Sequence, residues 1–277
     1  MGRVRVITDS SACVPTELVA RFGLCVLPIS VFLPEDGVTD IEPPDGENVI
    51  LPEALAREEL AGANHPFVTE YLQAIESQDF DSAVVITPAV EFATMYRNAA
   101  LAAEFTARPV ALVDARTAAA GQALVVLAGA EAAAGGAELG EVVRVVEEAS
   151  RRVELVASLA TLDPIRRSGP VPDNVLGNTG PSGERSVFRM RDGTVEPLGT
   201  AESAEQMLKT IHTAYRTSAP RGAERSAVFH ANAPQLAEQL KELLGDVDFV
   251  SGFSIAMQVH TGGGVVGAAW IPSGAAH

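Results

Sequence analysis

The first apolar run, Val4 to Thr8, gives way to the polar stretch Thr8-Asp9-Ser10-Ser11, which predicts a short buried strand and a loop. Val14 to Phe22, with Pro15 near its start and Gly23 just past its end, predicts a helix. Cys25 to Phe32 reads as a second strand, Pro34-Glu35-Asp36-Gly37 as a turn and Pro52 to Leu60 as a helix. A further helix is expected to open at Asn64-His65-Pro66, with the proline in its first turn. Ala83 to Ile86 predicts a third strand, followed by Thr87-Pro88, and Glu91 to Phe105 a helix. Val110 to Val113 predicts a fourth strand ending at Asp114, before two helices broken at Gly135-Gly136. Strands alternating with helices imply an α/β unit with a parallel sheet and helices on both faces. Ligands of such sheets sit beyond the carboxyl ends of the strands. Thr8 to Ser11, Thr87 and Asp114 to Arg116 would share that rim.

The pattern changes after about Arg152. Leu155 to Leu159 predicts a strand, and Asp163 to Ser182 is rich in Pro, Gly and Asn without periodicity. Ser186 to Met190 and Thr194 to Leu198 flank Arg191-Asp192-Gly193, a hairpin signal. Ala201 to Thr217 predicts a helix, Ala227 to His230 a strand and Pro234 to Leu244 a helix. Phe253 to Val259 and Val265 to Ile271 read as strands on either side of a glycine loop. These signals imply a C-terminal α+β domain, 153–277, behind an N-terminal α/β domain, 1–152. The cleft between them is the expected ligand site.

Composition narrows the possible partners. Hydrophobic residues are 47% of the chain but aromatics only 5%, so Ala, Val and Leu must fill the core. The longest apolar run, around Ala118 to Ala130, is interrupted by Gly121 and Gln122 and is too short for a bilayer, which needs about 20 residues. No apolar leader follows Met1-Gly2-Arg3, and Val6 stands where myristoylation wants Ser or Thr. A net charge of −16 repels nucleic acids and anionic membrane surfaces. Cys13 and Cys25 have no metal-binding or redox spacing, which fits small buried residues in a reducing, cytoplasmic setting. None of His65, His212, His230, His260 and His277 pairs at a metal-ligand spacing, so neither metal nor cofactor is expected.

Candidate chemistry concentrates in a few segments. Gly262 to Gly267 fits G-x-G-x-x-G, but an expected strand follows it where a dinucleotide site needs a helix. Its bare backbone would instead let a ligand approach, with His260 as a polar contact. His260 with Ser10 or Ser11 and Asp114 could be drawn as a hydrolase triad, but no G-x-S-x-G elbow is present. Asp9-Ser10-Ser11 could hold an anion or substrate hydroxyl, or simply cap the next segment.

Taken in order, these segments resemble the DegV family. Thr8-Asp9-Ser10-Ser11-Ala12 is similar to its T-D-S-S-A start, and Asp36-Gly37-Val38-Thr39-Asp40 to its D-G turn. Leu162 to Pro170 resembles its L-x-x-L-x-x-G-G-R stretch, Arg191 to Val195 its hairpin, and His230 to Ala233 its H-A-D-A segment. His260-Thr261-Gly262-Gly263-Gly264 resembles H-T-G-P-G, with Gly263 in place of proline. The resemblance implies a two-domain binding protein, not an enzyme, enclosing a long-chain fatty acid in an apolar tunnel. It also implies presentation of the carboxyl group to a separate fatty acid kinase. The family's T-S-Q-P becomes Ala63-Asn64-His65-Pro66, and its S-S-x-L-S-G-T-Y becomes Ala89 to Tyr96, so several hydroxyls are lost. Pro170 replaces the G-G-R arginine, and Glu202 replaces an arginine linked to the kinase. A fatty-acid site would therefore be rebuilt from Asn64, His65, Thr94 and His260, with Thr261 and Ser10 nearby. A different, neutral lipid is the alternative; an enzyme using His260 and the Asp9-Ser10 rim is a third reading. Glu91, if turned inward, would repel a carboxylate.

Overall fold

The computed structural model describes residues 2–32, 39–40, 62–91, 94–160 and 184–274. The expected turn at 34–37, the helix at 52–60 and the stretch 162–170 lie outside the described residues. Strands β1 (Val4–Asp9) and β2 (Cys25–Leu27) are parallel. They join β6 (Ser82–Thr87) and β7 (Val110–Asp114) in one parallel sheet of order β2-β1-β6-β7. The sheet's period of two sorts its side chains. Ile7, Ala83 and Val85 meet Tyr71 and Ile75 of α2 (Val68–Ile75) and Ala99 and Ala102 of α3 (Met95–Glu104). Val4, Val6, Val84 and Ile86 share a core with α4 (Ala119–Ala134) and α5 (Leu139–Arg152). A short helix, α1 (Thr16–Phe22), ends at Gly23 in the left-handed conformation.

The second sheet comprises β8 (Glu154–Leu159), β9 (Arg185–Arg191), β10 (Thr194–Ala201), β11 (Ala223–His230), β12 (Phe249–Gly252) and β13 (Val266–Pro272). Its order is β10-β9-β8-β13-β11-β12. Leu155, Ala157, Phe229 and Ala269 face the same core as α4. Val156, Val228, Ala268 and Trp270 pack with α6 (Ala204–Ser218) and α7 (Pro234–Leu244). The layers therefore run α2/α3, parallel sheet, α4/α5, mixed sheet, α6/α7. Helix α4 has apolar residues on every side, as a helix sandwiched between two sheets requires. Its small side chains allow close approach: a Cβ on Gly129 would stand 2.5 Å from Val146 Cγ2 of α5.

Four expectations differ from the structure, three of them for identifiable reasons. The strand expected over Cys25 to Phe32 splits at Pro28, which has no N–H for the ladder. Its second half is β3 (Ser30–Phe32), which pairs antiparallel with β4 (Thr39–Asp40) and β5 (Gly62–Asn64). The helix expected from Asn64 starts at Val68, because residues 62–64 form β5 and Pro66 biases His65 toward extended backbone. The strand expected over Phe253 to Val259 is instead helix α8 (Ile255–Thr261), capped by Ser254, whose hydroxyl accepts from Met257 N at 3.3 Å. The helix expected from Glu91 starts at Met95, residues 92 and 93 lying outside the described set. The hairpin forms as expected: Asp192 and Gly193 have φ 50° and 74°, the pair of positive values that a tight I′ turn needs.

Candidate functional site

Helix α8 packs against β3 and β5, and this places His260, in its last turn, next to His65, just past β5. The ring centroids are 6.2 Å apart with planes 26° from parallel. His65 Nδ1 lies 3.0 Å from Oγ1 of Thr94, the residue that precedes α3. One turn along α3, Asn98 donates from Nδ2 to Pro66 O at 2.9 Å, which fixes the 65–66 backbone against that helix. His65, Thr94 and His260 are thus brought together from three separate parts of the chain. Both rings are half-buried and Thr94 is exposed, so the cluster opens to solvent. An apolar cluster of Ile29, Met95 and Ala256, with Ile255 and Val259 packed on it, adjoins them through Thr94-Met95 and Val259-His260.

Burial pulls both imidazoles below their ordinary pKa, and at His260 the neighbouring His65 charge adds to the effect. With both held below the ordinary histidine value, both are neutral near pH 7. Each neutral ring offers one donor and one acceptor. The pair can hold a carboxyl or hydroxyl group, but protonating both rings is opposed.

The other expected contacts are placed as follows. Asn64 ends β5 with its backbone opposite Ser30. Ser10 Oγ accepts from Ile29 N at 3.0 Å, tying the β1 rim to the apolar cluster. Thr261 Oγ1 lies 2.9 Å from Met257 O and 3.2 Å from Gly262 O, so its proton is directed into its own helix end. Glu91 is exposed and its carboxylate lies beside Gly193 of the hairpin; it also pushes the Asp114 pKa up, behind the larger effect of burial. Cys13 is buried but Cys25 only half-buried, and neither forms a disulfide.

At the parallel-sheet rim, Asp9 acts as a cap. Its Oδ1 accepts from Ser11 N at 3.0 Å and from the Ser11 hydroxyl, while Gln122 Nε2 donates to Oδ2 at 3.3 Å and to Thr8 Oγ1 at 3.0 Å. Asp9 is fully buried, and desolvation outweighs these bonds, raising its pKa to about 6. Ser11 is therefore engaged with Asp9 rather than poised as a nucleophile beside His260.

The glycine segment leads from α8 into β13, the reverse of a strand-to-helix phosphate loop. Gly267 is inside β13, where a Cβ would meet Val156 O at 2.7 Å and the Phe229 ring, so its need is packing. Arg185 braces the loop: it donates from Nη2 to Gly264 O and from Nε to Ser158 Oγ at 3.3 Å. Sequence reasoning missed Asn98, Gln122 and Arg185, although Asn98 sits four positions from Thr94 on one helical face. Among the described residues, no group of three His, Cys, Asp or Glu side chains could hold a metal ion, and no helix is long and apolar enough to cross a membrane.

In a two-sheet α/β fold, a half-buried polar cluster against an apolar one is the place where a ligand site is first sought. The family model for uncharacterised proteins of the DegV family, COG1307, matches residues 3–273, and the chain belongs to that family. A DegV domain-containing protein of Streptomyces coelicolor is 25% identical over 276 residues, 95% of this chain and 96% of that protein. DegV of Bacillus subtilis, a fatty acid binding protein, has the same fold with a TM-score of 0.84 at 20% identity, covering 99% of this chain and 100% of that one. A fatty-acid-binding DegV family protein of Thermus thermophilus gives a TM-score of 0.83 at 22% identity, covering 97% and 99%.

Proposed function

We propose that this protein is a cytoplasmic carrier that encloses one long-chain fatty acid, its acyl chain among the apolar side chains and its head group at His65, Thr94 and His260. The convergence of these three polar side chains beside the Ile29, Met95 and Ala256 cluster carries the reading. Structural relatives that bind fatty acids support it. Each methylene removed from water contributes about 0.8 kcal/mol, so a long chain binds tightly with few polar contacts. The head group still needs donors, because an unpaired buried carboxylate is costly. Asn64, Ser10 and Thr261 belong to the surroundings of this site. The protein binds and presents its ligand without transforming it; a kinase acting on the exposed carboxyl group is the partner this reading calls for, with division of the chain near residue 152 into two domains.

A neutral single-chain lipid is the second reading, favoured by the uncharged state of both imidazoles. Native mass spectrometry of the purified protein, followed by identification of what denaturation releases, tests both. One fatty acid per chain is the expected result. A neutral lipid would establish the second reading, and no binding of either class after incubation would exclude both.

A further inference from the structure

We infer that Arg185 supplies the positive charge of the head-group site, pairing with the carboxylate of a bound fatty acid from beside the loop that follows His260. This rests on the fatty-acid reading above.

Arg185 opens β9 and is half-buried, and burial lowers its pKa. Arg116, Arg144, Arg151, Arg152, Arg189, Arg191 and Arg225 all reach a carboxylate. Arg185 reaches none among the described residues; its bonds are to a carbonyl and a hydroxyl. Arg5 and Arg108 are also half-buried without a carboxylate among the described residues, Arg5 stacked on the Phe80 ring and Arg108 bonded to the Ser77 and Phe80 carbonyls, but both lie at the opposite end of the parallel sheet from the rim, near the start of β1 and before β7. A desolvated cation without an anion is unfavourable unless something completes it. Arg185 Nη1 has no acceptor among the described residues, which leaves part of the planar fork free for the bidentate geometry that carboxylates take.

Position and chemistry agree. The carbonyl that Arg185 holds belongs to Gly264, four residues past His260 in the loop that leaves α8. Gly264 has φ +80°, and a Cβ there would lie 3.7 Å from Arg185 Nη2, so glycine keeps that flank of the guanidinium uncovered. The imidazoles of the free protein carry no standing charge, and a chain of net charge −16 gives an anion no general attraction. A single local cation would decide between a fatty acid and its neutral alcohol.

The test compares palmitate with hexadecanol on wild-type protein and on Arg185→Gln, which retains amide donors for Gly264 O. Palmitate binding should weaken about tenfold or more in the variant, the loss of a charge-assisted pair, while hexadecanol changes less than about twofold. Equal weakening of both ligands would make Arg185 a brace for the loop and overturn the inference, as would no change in either. Wild-type protein that binds hexadecanol but not palmitate would overturn it while leaving lipid binding intact; binding of neither would remove the fatty-acid reading as well. Circular dichroism and melting temperature check the fold. If Arg185→Gln does not fold, Arg185→Lys decides: a point charge in place of a fork should weaken palmitate several-fold and spare hexadecanol, and parallel changes would overturn the inference.

Discussion

Two neutral imidazoles facing each other across 6.2 Å impose a proton condition on any acid bound between them. In the free protein both titrate below the ordinary value, and a carboxylate beside them would raise one of them. Binding then takes up a proton, and palmitate affinity should rise as pH falls from 8 to 6, by at most about tenfold per pH unit. Isothermal titration in two buffers of different ionisation enthalpy reads the proton directly; His260→Ala should flatten the dependence, and hexadecanol should show none. Asp9 works with the opposite sign. Its folded pKa is raised from 3.8 to about 6, so the folded protein holds the proton more tightly and loses stability as pH rises from about 4 to about 6. Asp9→Asn removes that loss. Urea unfolding should show the variant gaining on the wild type across this window, by about 3 kcal/mol at most. His260 was legible in the sequence as the residue before a glycine loop. Its partner His65 was legible only through the resemblance of its segment, and Arg185 through nothing local, because its importance lies in an ion pair it does not make.

Elements were legible where one period dominated. The parallel strands and the α4 and α5 helices follow from their hydrophobic patterns and from Gly135-Gly136. Helix α8 hides behind a strand-like pattern, because Phe253, Ile255, Met257 and Val259 alternate, while the Ser254 cap and the packing of Ile255, Ala256 and Val259 against Ile29 and Met95 favour a helix. That outcome matters, since a strand would point His260 elsewhere. Close packing between elements gives a sharp prediction. Gly267→Ala places a methyl against Val156 O and the Phe229 ring in the middle of the second sheet, and should lower stability by about 1–3 kcal/mol in chemical denaturation. Gly129→Ala should cost a similar amount by forcing α4 from Val146.

Across the whole molecule, the change of pattern near Arg152 marks where topology switches, yet the core does not stop there. One cluster joins Val4 and Val84 of the first sheet through α4 to Phe229 and Ala269 of the second. Residues 1–152 alone would expose the face of α4 that the second sheet covers. Expressed by themselves they should be aggregated or lack a cooperative thermal transition, whereas the full chain should melt in a single calorimetric step. Composition could not reveal this sharing, because an all-apolar helix reads the same inside one domain as between two sheets.

At one further point the hairpin of the second sheet meets the rim of the first through polar contacts to one residue, Arg116. Gly193 N in the β9–β10 hairpin donates to Arg116 O at the rim of the parallel sheet at 2.9 Å, and Asp192 pairs with Arg116 beside it. The Gly193 amide is shielded from solvent exchange only while hairpin and rim stay together. Its deuteration rate in an NMR spectrum is therefore a clock for their separation, readable without any attached probe or ligand.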